Sequence, residues 1–503
     1  MIARWRHALR QRWLQHCRHH PVRMQLTEAV LLQLARFPTL AFSSYHFLGE
    51  AHAAVANHAA AQGYYTRALG TGRVTDSTIY HHQGITQVAL GCYAEAETSL
   101  RAALARKPQA WWSCKSLGEI LLLQGRLPEA EIYFSKALAT NNTDFWAHYH
   151  RFECQRASIG CEAALLNWLD GVLAAPLMSE LRMETGLFWE YSCKYAPEHL
   201  EKLRRVAVRY PESHEVSFLL SCLIGHMGQV EEATAQLLQY MKAAWHRDYS
   251  QWATLSSQTH KDPEFVIIGT EKGGSSALYS YLIDHPLICP AVVKEVNYWS
   301  SNQVHGSAWY RACFMPIPAM ALQITGEASI FSLWHEQAPE KMAVFRADMK
   351  LLLILRDPVQ RAYSAYQMRK RLGADMPNWD VLVEQELHAH PYCPLQPEDL
   401  PAGYQGSSMM LNGAVLPFLK RWMCYFPRAQ FLILQNSDLS SDTQATVNAA
   451  YTFLDLPAHT VSSTQRLNVG TYAPMAPDVE RRLRDWYRPH QSALAKFLTM
   501  ELA

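Results

Sequence analysis

None of the eleven cysteines stands in a C-x-x-C pair, and no run of about 18 apolar residues occurs anywhere in the 503 residues. The first absence excludes a zinc ribbon or a disulfide framework and points to reduced thiols in the cytoplasm. The second excludes a membrane-spanning helix. A charge excess is missing too: 46 basic and 45 acidic residues leave a net charge of +1, so no nucleic-acid partner is expected and any anionic ligand must be held by a local patch. The opening "MIARWRHALRQRWLQHCRHH" carries five arginines and no acid, but lacks the apolar stretch of a secretory signal. It reads as an amphipathic first helix, packed on its successor or lying peripherally at a membrane. With 49% hydrophobic and 18% charged residues, what remains is an ordinary globular balance with room for two or three domains.

The first half repeats itself. "GCYAEAETSLRAALARKP" from Gly91 and "GRLPEAEIYFSKALATNN" from Gly125 superimpose at an offset of 34 residues, the tetratricopeptide period. Gly84, Ala96, Leu100 and Ala103 of one unit answer to Gly118, Ala130, Phe134 and Ala137 of the next. An earlier unit supplies Gly49, Ala61, Tyr65 and Ala68, a later one Ala233, and residues 145 to 213 between them are helical but degenerate. Small residues recur where two helices must cross closely, so residues 1–243 are expected to form an α-solenoid of stacked helix pairs. Such a region either binds a protein partner or serves as a helical platform for the second half of the chain.

After a linker at 244–263 the period changes. "FVIIG", "LQITGEAS", "KLLLILRDP" and "AQFLILQNSDL" read as strands, each followed by a helical pattern. Apolar strands without alternation, interleaved with helices, imply a parallel sheet covered on both faces over residues 264–503. Ligands of such sheets gather at the carboxyl ends of the strands.

At the first strand end, "GTEKGGSS" keeps the glycine spacing of a nucleotide-triphosphatase loop in Gly269 and Gly274, yet Ser275 holds the lysine position and Lys272 has moved inside. Gly269, Gly273 and Gly274 let backbone N–H groups approach an anion, the following helix adds its positive end, and Ser275 and Ser276 add hydroxyls. Lys272 can then reach a bridging oxygen rather than flank a terminal phosphate. At another strand end, "LRDPVQRAYSAY" presents Arg356 and, one helix start later, Ser364, a site for a second phosphate. Asp357 before Pro358 reads as a helix N-cap rather than as a magnesium ligand.

These motifs, with "KEVNYWS" and "WYRACFMPIP", resemble the 3′-phosphoadenylyl sulfate-dependent sulfotransferases of the heparan sulfate and carbohydrate type, the N-sulfotransferases especially, over about residues 264 to 500. The resemblance implies a P-loop-like α/β sulfotransferase domain with a central parallel sheet. It implies that Lys272, Gly273, Gly274, Ser275 and Ser276 hold the 5′-phosphosulfate, that Arg356 and Ser364 hold the 3′-phosphate, and that Glu295 of "KEVNYW" is the general base. Arg466 or Tyr472, in the terminal loop, would add nucleotide contacts. Sulfuryl transfer needs a deprotonated acceptor and a neutralised leaving oxygen, which suits Glu295 and Lys272. A sulfuryl group carries less charge than a phosphoryl group, so no metal ligands are assigned.

The chain departs from the family in two places. Gly326-Glu327-Ala328-Ser329 stands where animal members often have glutamate-lysine-serine, removing one acceptor-site cation, and Asn297 replaces a histidine found in several 3-O-sulfotransferases. The expected activity is sulfation of a carbohydrate hydroxyl, with an amino sugar as the alternative acceptor. A catalytically inactive repeat scaffold that binds the nucleotide and a nucleotide kinase or triphosphatase are the competing classes.

Overall fold

The structure, a computed structural model, describes residues 21–72, 77–175, 197–248, 261–319, 321–371, 376–462 and 474–500. The basic segment 1–20 and the terminal-loop residues Arg466 and Tyr472 lie outside them. The chain divides into two compact units, Met1–Ser179 and Glu180–Ala503.

In the first unit, helices pair as the repeat requires: Ala41–Ala54 with His58–Gly70, Thr78–Ala89 with Tyr93–Arg106, and Trp111–Leu123 with Leu127–Thr140. One rule explains each pair. A Cβ placed on Gly49, Gly84 or Gly118 would lie 2.4 Å from Tyr65, 2.8 Å from Leu100 or 2.8 Å from Phe134. The large residue of the second helix thus fills the space the glycine leaves on the first. Ala61, Ala96 and Ala130 are fully buried at the same crossings. Gly91 and Gly125 turn the chain between helices with φ of 77° and 74°, conformations that a side chain would strain.

The compact division falls at 179, short of the boundary at 243 that the repeat pattern marks. Helices Pro197–Arg209, His214–His226 and Val230–Asp248 group with the sheet, and the last of them runs into the stretch expected to be a linker. Side chains explain the grouping. Trp309, fully buried, donates its Nε1–H to Ser221 Oγ at 2.7 Å, and Ser221 donates onward to the Ala233 carbonyl at 2.8 Å. The His305 and His226 rings meet edge to face with centroids 4.6 Å apart.

Among the described residues, five parallel strands form the sheet in the order β2-β3-β1-β4-β5: β1 Phe265–Gly269, β2 Ile288–Pro290, β3 Ile324–Ala328, β4 Lys350–Leu355 and β5 Phe431–Gln435. Val266 of the central strand pairs with Glu327 on one side and Leu351 on the other. Every residue of β1 and all but the first of β4 are buried, as unalternating apolar strands require. Leu278 and Leu282 of one helix and Val447 and Tyr451 of another join Ile267, Leu352 and Ile354 in a core on one face. From β1 the chain first lays down β2 at the edge and then β3 between β2 and β1, and only then β4 and β5 on the other side. The strand order therefore reverses at the carboxyl ends of β1 and β4, where ligands of open α/β sheets bind.

Candidate functional site

The loop leaving β1 is shaped by its own backbone. Lys272 has φ 58° and Gly274 φ 111°, left-handed values that curl the chain before the helix Ser275–Leu282 begins. A Cβ on Gly273 would sit 2.4 Å from Thr270 Oγ1 and 2.7 Å from the Ile354 carbonyl, so only glycine fits. The Gly273 N–H closes the turn onto the Thr270 carbonyl at 2.9 Å. The loop's carbonyls face neighbouring strands: Asn436 Nδ2 donates to the Gly273 carbonyl at 2.7 Å, and Arg356 Nη1 donates to the Lys272 carbonyl at 3.0 Å. With those oxygens engaged, the first N–H groups of the helix Ser275–Leu282, which lack carbonyl partners within the helix, are the ones suited to an anion. Ser275 is buried at the helix start and Ser276 is half-buried.

Arg356 follows β4 and so joins the two motifs directly. Asp357 is engaged otherwise. Its Oδ1 accepts from the Gln360 N–H at 2.8 Å, the N-cap expected before Pro358, and its Oδ2 accepts from Arg484 at 3.1 Å. Ser364 lies buried on the ensuing helix Pro358–Arg371. One turn further, Met368 Sδ stands 3.6 Å from Lys272 Nζ. This helix therefore carries both a predicted phosphate ligand and a contact of the predicted leaving-group lysine.

Sequence reasoning passed over Glu271. It is buried, with its carboxylate oxygens 3.4 Å from Arg361 Nη1 and 3.4 Å from Arg369 Nη2. The pair with Arg361 is closed to solvent, so removing one partner would strand the other charge. Glu271 ties the first loop to the helix Pro358–Arg371 through Arg361 and Arg369. Only the alternation of acid and base between two distant motifs hints at it.

Glu295 lies beyond β2, in an ion pair with Lys294 and with about a fifth of its side chain exposed. Its φ is 69° and that of Asn297 is 54°. For residues with side chains these are strained values that the surroundings must hold. The end of β3 does so. The Asn297 N–H donates to Ser329 Oγ at 2.8 Å, Ser329 Oγ donates to Glu327 Oε2, and Tyr310 donates to Glu327 Oε1 at 2.9 Å. Glu327 is fully buried, and burial pushes its carboxyl up to about 7 against the pull of those hydrogen bonds, with the Glu295 charge adding to the rise. Burial likewise pushes the Tyr310 phenol well up. The motif that lacks the family's lysine thus works as a buried clamp on the loop of Glu295.

Trp422 is buried and donates to the Leu333 carbonyl at 3.1 Å, and His285 bonds the Pro457 carbonyl at 3.1 Å. Burial holds the His335 imidazole below its ordinary range. Among the described residues, no helix is long and apolar enough to cross a membrane.

Residues 262–470 match the family described as "Sulfotransferase domain". The chain is 29% identical over 266 residues to bifunctional heparan sulfate N-deacetylase/N-sulfotransferase 3 of Homo sapiens, a match covering 47% of this chain and 30% of the relative. It is 27% identical over 256 residues to heparan sulfate glucosamine 3-O-sulfotransferase 3B1 of Mus musculus, covering 45% of this chain and 61% of that protein. The matches thus span less than two thirds of these relatives' length. A solved sulfotransferase from Alicyclobacillus acidocaldarius aligns with 48% of this chain and 96% of its own, at 22% identity and a TM-score of 0.38.

Proposed function

We propose that this protein is a transferase that moves a sulfuryl group from 3′-phosphoadenylyl sulfate to a carbohydrate hydroxyl, a reading supported by the match of residues 262–470 to the sulfotransferase domain and by the similarity to heparan sulfate sulfotransferases. The observation that carries this reading is the hydrogen bond of Arg356 Nη1 to the Lys272 carbonyl, 3.0 Å long, which joins the two anion-binding motifs where the strand order reverses. Asp357, at the position of a triphosphatase's magnesium-holding aspartate, serves here as a helix cap and as the partner of Arg484.

The residues fit such a donor. The cradle at Gly273 has no space for a side chain, and the donor set is cationic and rich in N–H and O–H groups. Lys272, Gly273, Gly274, Ser275 and Ser276 would hold the 5′-phosphosulfate, and Arg356 and Ser364 the 3′-phosphate, with Arg466 and Tyr472 assigned to the same nucleotide. When bound, the donor supplies a sulfuryl group that leaves its phosphate oxygen for the acceptor oxygen, yielding adenosine 3′,5′-bisphosphate and a sulfate ester. Lys272 neutralises the charge growing on the departing oxygen. Glu295 takes the acceptor's proton. Tyr310, Glu327 and Ser329 hold the loop that carries Glu295 and touch no reacting atom.

N-sulfation of an amino sugar is the second reading, favoured by the similarity to a relative whose name includes N-sulfotransferase. Incubation with sulfur-labelled donor and a panel of glycans bearing free hydroxyls or free amines tests both. Label in a product stable to nitrous acid supports O-sulfation, and label released by nitrous acid supports N-sulfation. No transfer to any acceptor, with the bisphosphate still bound, would leave the repeat-scaffold reading in its place.

A further inference from the structure

Three donor atoms converge in the first compact unit, which contains none of the residues assigned to transfer. His46 and Glu50 lie four residues apart on the helix Ala41–Ala54, a spacing that puts both side chains on one helical face. His82 projects from the helix Thr78–Ala89 of the following repeat. His46 Nε2 and His82 Nδ1 are 3.1 Å apart, and Glu50 Oε1 lies 3.2 Å from His82 Nδ1 and 3.7 Å from His46 Nε2.

Those separations have a chemical meaning. A tetrahedral centre with metal–ligand bonds of about 2.0–2.1 Å holds its ligand atoms about 3.3 Å from one another. The three edges observed, 3.1, 3.2 and 3.7 Å, bracket that distance. Among the described residues this is the one group of histidine, cysteine and carboxylate side chains gathered closely enough to hold an ion. His46 is buried and Glu50 nearly so, while His82 keeps 34% of its side chain exposed, which gives an ion a way in. We propose that His46, Glu50 and His82 form a binding site for Zn²⁺ or a similar borderline dication. Two imidazoles and one carboxylate suit such ions, whereas calcium and magnesium prefer all-oxygen shells. Three protein ligands leave a fourth position for water. The ion ties the first helix of one repeat to the first helix of the next, stabilising the solenoid rather than the transfer site. The sequence signal is the His46-x-x-x-Glu50 spacing, with the third ligand 36 residues after the first.

The full-length protein, stripped with a chelator and titrated with zinc chloride, provides the test. Calorimetry is expected to show one tight site per chain, weakened at least tenfold in Glu50→Gln and in His82→Ala. Zinc is also expected to raise the melting temperature of the wild type and not of either variant. Circular dichroism of the metal-free variants checks that they fold, and Glu50→Gln preserves shape where His82→Ala does not. X-ray absorption at the zinc edge should report two imidazoles and no sulfur. Equal zinc affinity in wild type and both variants would overturn the site, as would sulfur ligation or the absence of a tight site in the wild type.

Discussion

Lys272 and Glu295 each sit on a loop held by residues distant in the chain. Lys272 belongs to a loop whose carbonyl accepts from Arg356, 84 residues away, and Glu295 to one held through Ser329 and Glu327. Lys272→Ala should lower kcat by about 10²- to 10³-fold while weakening adenosine 3′,5′-bisphosphate far less, a split that steady-state kinetics and calorimetry read together. Glu295→Gln should lower kcat by about 10²- to 10⁴-fold with little change in the KM for donor. Equal losses of kcat and donor binding would instead make Glu295 a support of the nucleotide site. The burial of Glu327 also gives a signature in pH. Its carboxyl rises from the ordinary 4.5 to about 7 in the folded protein, so the native state holds this proton more tightly than the unfolded chain does. Stability from this source is complete below about pH 4.5 and is lost as pH rises through about 7. Urea unfolding at pH 5 and pH 8 should therefore show the wild type losing on the order of 3 kcal/mol more than Glu327→Gln across that interval. The depth of this residue was invisible in "GEAS" because it depends on β3 lying between β1 and β2.

At the scale of elements, those with a full period in the sequence stand where their pattern put them. The strands at 265, 324, 350 and 431 and the crossing glycines of the repeats are of this kind. Elements made by distant contacts were missed. Strand β2 has three residues and ends in proline, too short for any periodicity. The helix Trp379–Ala389 was not read from the sequence. Glu386 anchors it by accepting from the Met409 and Met410 N–H groups at 2.9 and 2.8 Å, a tie that becomes visible only when the chain returns. Gly273→Ala tests the first loop: with Thr270 Oγ1 and the Ile354 carbonyl in the way of the added carbon, overpacking of about 1–3 kcal/mol should appear in chemical denaturation, together with loss of bisphosphate binding. Gly118→Ala tests the repeat. Alanine favours a helix by about 1 kcal/mol over glycine, but the fully buried Phe134 ring stands 2.8 Å from the new carbon and is packed in place. A net loss of stability is expected, and a gain would mean that the ring yields.

The whole molecule is divided differently by compactness and by ancestry. The sulfotransferase match begins at residue 262, yet the second compact unit reaches back to Glu180. The helix pair His214–His226 and Val230–Asp248 carries the repeat's small positions in Ser221 and Ala233, and Ser221 also accepts from Trp309 of the transferase domain. Local repetition could be read from sequence, but not that one repeat-like pair is captured by the neighbouring domain. A chain starting at residue 180 should accordingly unfold cooperatively and bind the bisphosphate. One starting at 261 should melt lower or aggregate, because Trp309 and His305 lose the helices that cover them. The most direct test of function is transfer of labelled sulfate from 3′-phosphoadenylyl sulfate to a glycan in the presence of a magnesium chelator, with wild type and Lys272→Ala side by side. Transfer by the wild type and at least a hundredfold less by the variant is the outcome expected. Equal transfer by both, or a wild type that ignores the sulfate donor and binds ATP with magnesium, would contradict the assignment.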